Sequence, residues 1–124
     1  MNNSGRSIIQ AKQFYKLKND EIIVVYDDVD VEVGDIKVRA KGHANTHNGM
    51  KSVVSYLGTI EFPRVRVGIG KPDKDILNYV IEKLPIKKQK ELETGIEKAT
   101  MAIQEILTNG IDSAMNKYNT KTNS

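Results

Sequence analysis

Residues 21–26 contain an unbroken apolar run, Ile22-Ile-Val-Val-Tyr26, rich in β-branched side chains and closed by Asp27 and Asp28. A run this short cannot make a stable amphipathic helix, and it has no polar alternate positions to give to solvent. It predicts a strand buried on both faces, the kind found where helices cover a sheet. Two further segments alternate instead. Ile36, Val38 and Ala40 interleave with Lys37, Arg39 and Lys41, and after Pro63 the residues Val65, Val67 and Ile69 interleave with Arg64 and Arg66. Both predict strands with one apolar and one basic face.

Between and around these strands the spacing becomes helical. Residues 4–17 predict a helix with Ser4 as N-cap and Ile8, Phe14 and Leu17 on its inner face. Met50, Val53, Val54 and Leu57 follow the i, i+3, i+4, i+7 pattern from a start near Asn48 to a stop at Gly58. Residues 75–82 predict a short helix, and Pro85 suits the first turn of a long one whose stripe is Leu92, Ile96, Ala99, Ile103 and Ile106, ending before Gly110. Strands alternating with helices predict an α/β fold with a largely or partly parallel sheet. The 124 residues, 39% of them hydrophobic, suffice for one domain over residues 1–118, followed by a polar tail at 119–124.

Composition removes several function classes. With no cysteine there is neither a disulfide nor a thiolate metal site, and two histidines leave little else for a metal. No basic stretch opens onto an apolar run, and nowhere do 18 apolar residues follow one another, so a soluble, cytoplasmic chain without a membrane partner is expected. Gly68-Ile-Gly-Lys-Pro72 lacks the spacing of either phosphate-binding fingerprint, and no nucleotide cofactor is expected. Net charge is +3, distributed as +3 over residues 1–20, −5 over 21–34, +5 over 35–72 and 0 over 73–124. Basic segments thus flank one acidic stretch. They could grip a polyanion, or form an ordinary solvated surface.

The acids after the first strand have two readings. They could form turns, or one could orient an imidazole at a strand's carboxyl end, where sites gather in α/β sheets. Asn48 could cap its helix, or present amide donors to a developing oxyanion. His47 could serve as a general base paired with Asp27. Lys37, Arg39, Arg64 and Arg66 could be solvated, or clamp phosphates without reading bases.

Four segments, taken in order, favour the functional alternatives: Met1-Asn-Asn-Ser-Gly5, Ile22 to Asp28, His43-Ala-Asn-Thr-His-Asn-Gly49 and Arg64-Val-Arg-Val-Gly-Ile-Gly-Lys-Pro72. Together they resemble the bacterial peptidyl-tRNA hydrolase family along nearly the whole chain. The resemblance implies a three-layer α/β/α fold around a mixed twisted sheet. It places the family's opening segment, with its first strand region, its Gly-Leu-Gly-Asn-Pro-Gly-like turn and its catalytic histidine, ahead of Met1. The implied substrate is peptidyl-tRNA, cleaved at the ester between peptide and tRNA, with no cofactor, no metal and no protein partner, by a monomer.

In that scheme Asp27 orients the histidine base, Asn48 positions water or the oxyanion, Asn2 contacts the peptide and His47 neighbours the site. Arg39 and Arg66, with Lys37 and Arg64, hold tRNA phosphates. Gly42-His-Ala-Asn45 departs from the family's Gly-Ser-Ala-Gly-like loop. Without the opening segment the chain alone is expected to be catalytically silent. The alternatives are a non-catalytic RNA-binding relative of the splicing-factor kind and an unstable truncated product.

Overall fold

A computed structural model describes residues 4–44, 47–70 and 86–119. Asn2, the helix expected at 75–82, Pro85 and residues 120–124 of the tail lie outside the described residues. Within them the chain is α/β, with helices α1 (Ser4–Tyr15), α2 (Asn48–Leu57), α3 (Ile86–Asn109) and α4 (Ile111–Asn119). Strands β1 (Val24–Asp28), β2 (Ile36–Arg39) and β3 (Arg64–Gly68) form a mixed sheet in the order β1-β3-β2. The chain divides into two compact units, residues 1–24 with 39–64 and residues 25–38 with 65–124.

The first unit is built on α1 against α2. Met50, Val53 and Leu57 are buried as the apolar spacing predicts, and Gly58 caps α2 in the left-handed region at φ 72°, its N–H donating to Val54 O at 2.9 Å. α1 is turned differently from expectation. Its buried residue is Gly5, whose N–H donates to Ser52 Oγ at 3.0 Å; a Cβ there would fall 2.1 Å from Ser52 O. That close approach fixes the helix rotation and leaves Phe14 outside, 78% exposed and edge-on to Tyr15. The helix also ends early, at Tyr15. Lys16 takes a left-handed conformation (φ 57°) and Leu17 N–H returns to Lys12 O at 2.9 Å, a closing bond that glycine more often supports.

The second unit carries most of the sheet. β3 lies between its two neighbours, with Val65 and Val67 buried, and Ile36 and Val38 of β2 are buried on one face. β1 corrects the expectation of a strand covered on both sides. Val24, Tyr26 and Asp28 are half-buried while Val25 and Asp27, on the other face, are exposed.

α3 shows a second rotation. Its buried face is Leu92, Gly95, Ala99 and Ala102, whereas Ile96 is 51% exposed. A Cβ on Gly95 would lie 3.5 Å from the backbone of Gly34, so small residues bring the helix against that turn and large ones are pushed aside. Lys98 Nζ reinforces the contact 3.6 Å from Asp35 Oδ1. α4 is fixed to α3 by Glu105, which accepts hydrogen bonds from Ser113, Asn109 and Lys117. The bond from Ser113, then that from Asn109, holds the Glu105 carboxyl below the ordinary glutamate range.

Candidate active site

In the first unit, the segment before α2 is held by a buried guanidinium. Arg64 is 1% exposed and sends Nη1 to Gly42 O, Nη2 to Ile60 O at 2.6 Å and Nε to Phe62 O at 3.2 Å. Its guanidinium carbon also stands 4.2 Å from the centroid of the buried Phe62 ring. Ile60 O accepts in addition from Gly42 N–H at 3.2 Å, so one arginine closes a knot between the loop that enters α2 and the loop that leaves it. This corrects the expectation that Arg64 binds phosphate. A guanidinium committed to three carbonyls in the interior has no face to offer a polyanion.

His47 and Asn48 follow that loop, and the cap that Asn48 could have made is made by His47. His47 is the N-cap of α2: its Nδ1 accepts from Met50 N–H at 3.1 Å, and its carbonyl accepts from Lys51 N–H at 2.9 Å. Because Nδ1 is an acceptor here, the ring proton sits on Nε2. The imidazole therefore orders a helix start. Asn48 becomes the first helical residue and is exposed. As the first residue of α2 it stands at the positive end of the helix.

In the second unit, Asp27 and Asp28 part company. Asp27 is exposed near the carboxyl end of β1. Asp28 points to the other face, where Oδ2 accepts from Arg66 Nε at 2.7 Å and Oδ1 accepts from Asp30 N–H at 2.8 Å. Asp28, expected as a turn acid, also aims Arg66. The strand alternation carried a sign of this, since Asp28 shares a side with Val24 and Tyr26. The ion pair engages Nε and leaves the two terminal nitrogens outside that bond. Lys37 and Arg39 project from the face of β2 opposite the buried Ile36 and Val38.

Among the described residues no cluster of His, Cys, Asp and Glu could hold a metal, and no helix is long and apolar enough to cross a membrane.

A model of one protein family, peptidyl-tRNA hydrolase, matches residues 1–124. The chain belongs to the peptidyl-tRNA hydrolase family. Among peptidyl-tRNA hydrolases, that of Clostridium botulinum strain Eklund 17B is 44% identical over 119 residues, covering 96% of this chain and 62% of the relative. That of Caldicellulosiruptor saccharolyticus is 46% identical over 119 residues, covering 96% and 63%. The crystal structure of peptidyl-tRNA hydrolase from Acinetobacter baumannii superposes with a TM-score of 0.84 at 29% identity, over 96% of this chain and 61% of that one. The chain thus spans under two thirds of the length of these peptidyl-tRNA hydrolases.

Proposed function

We propose that this chain carries substrate-binding and catalytic groups of an enzyme that hydrolyses the ester between a peptide and the terminal ribose of tRNA, in the cytoplasm and without a cofactor. The observation that carries the proposal is the family match over residues 1–124 together with the exposed Asn48 at the head of α2. An activated water attacks the ester carbonyl, the carbonyl oxygen gains negative charge, and the ribose oxygen leaves with a proton. Asn48 donates its amide N–H groups to that oxygen or holds the water. Asp27 keeps the imidazole base in the tautomer that accepts the water's proton and stabilises the imidazolium that results. Asn2 contacts the peptide. Arg39, Arg66 and Lys37 each hold backbone phosphate, which suits an enzyme that must accept tRNAs of many sequences.

Asp27→Asn tests the carboxylate. In a protein that also supplies the imidazole base, it is expected to lower turnover of peptidyl-tRNA by on the order of 100-fold or more while tRNA affinity changes less than about twofold, because the neutral amide no longer favours the imidazolium. Turnover and affinity are read separately, by peptide release and by equilibrium binding of uncharged tRNA. Unchanged turnover would remove Asp27 from the mechanism.

A further inference from the structure

In the order β1-β3-β2, one side of β2 has no strand beside it among the described residues. Main-chain groups of successive strand residues point to alternate sides. Asp35 O accepts from Gly68 N–H at 3.0 Å, so Asp35, and by alternation Lys37 and Arg39, turn their main chain toward β3. Ile36 and Val38 turn theirs outward. The outward pair on Val38 is taken by the side chain of Asn119, the last residue of α4: Oδ1 accepts from Val38 N–H at 2.8 Å and Nδ2 donates to Val38 O at 2.8 Å. One amide thereby copies the pairing that a neighbouring strand would supply.

The helix behind this amide is itself braced. Ala114 is fully buried, Glu105 binds three residues of the α3–α4 hairpin, and α3 is seated on the turn before β2 through Gly95 and Lys98. Asn119 is therefore a fixed point against which the outer edge of β2 is held.

We propose that Asn119 is a positioning residue for nucleic-acid phosphate binding: by clamping Val38, it holds β2 so that the side chain of Lys37, with that of Arg39 on the same face, meets the phosphate backbone in one orientation. A strand four residues long, with one described strand beside it, frays and twists readily, and each such motion swings Lys37. The inference rests on the proposed role of Lys37 and Arg39.

The test measures the Kd of uncharged tRNA against salt concentration for the unchanged chain, Asn119→Ala, Lys37→Met and the double variant, with hydrogen exchange of the Val38 amide alongside. Asn119→Ala is expected to speed Val38 exchange, to weaken tRNA binding by roughly 5-fold to 10-fold and to reduce the salt slope by up to about 1, and it should add little once Lys37 is gone. Asn119→Ser, which keeps one short polar group, serves the same comparison should the alanine variant melt below the assay temperature. Faster Val38 exchange with unchanged affinity and slope would overturn the proposal and leave Asn119 as a cap on a strand edge. Unchanged binding in Lys37→Met would instead overturn the phosphate role of Lys37, and the proposal with it.

Discussion

Arg64→Lys is expected to cost about 3 kcal/mol of stability, a fall in melting temperature on the order of 10 °C, while the salt slope of tRNA binding stays where it was. The guanidinium serves three main-chain carbonyls, those of Gly42, Ile60 and Phe62, and lies over the Phe62 ring. A lysine ammonium keeps the charge but cannot span all three acceptors from one stem. At least one buried carbonyl is then left without a donor, at about 1–3 kcal/mol, and the stacked contact is lost as well. Had Arg64 been a phosphate contact, its replacement by an uncharged residue would lower the salt slope by about 1 with little effect on melting. Thermal unfolding of Arg64→Lys and Arg64→Met, paired with the salt dependence of tRNA binding, separates the two roles. A stable Arg64→Met protein with a reduced slope would return Arg64 to the phosphate surface.

The second large effect is catalytic. Asn48→Ala is expected to lower turnover by about 100-fold to 1000-fold, the cost of removing one donor from an oxyanion site, while the melting temperature moves little. The distinction depends on His47. Had Asn48 been the N-cap, alanine there would cost about 1 kcal/mol of stability and any fall in turnover would be ambiguous. The cap is instead made by His47 Nδ1 on Met50 N–H, so the amide of Asn48 can be removed with the helix start intact. Peptide release kinetics and thermal unfolding on the same variant decide it. A clear loss of stability with turnover preserved would assign Asn48 a purely structural task.

Local periodicity made much of the architecture legible. Val65 and Val67 proved buried in β3, Ile36 and Val38 in β2, and Met50, Val53 and Leu57 in α2, because alternation and the 3.6-residue stripe follow directly from element geometry. The rotations of α1 and α3 were not legible. Each is set by a glycine meeting distant backbone, Gly5 at Ser52 and Gly95 at Gly34, and a count of large apolar side chains passes over the smallest residue. For the same reason Phe14 and Ile96 were expected inside and stand outside.

The candidate site was legible in its residue types and less so in their division of labour. Arg64 and Arg66 look equivalent in an alternating strand, but the first ends among carbonyls and the second beside Asp28. Alternation within residues 64–66 does not separate them, since the partners lie outside it, at Gly42, Ile60 and Phe62 for Arg64 and at Asp28 for Arg66. His47 and Asn48 are both competent caps, and one residue of helix phase decides which is used. The pairing of Asn119 with Val38 joins residues 81 apart, a contact only the assembled fold creates.

Peptide release from a peptidyl-tRNA tests the central claim most directly, measured on this chain and on a protein of the full length of its relatives, of which this chain spans 62% and 63% in the two cases above. The expected result is cleavage by the longer protein that Asp27→Asn and Asn48→Ala each lower by about 100-fold or more, with tRNA bound throughout. Folded, tRNA-binding protein that releases no peptide in either form would contradict the hydrolase and leave an RNA-binding module in its place.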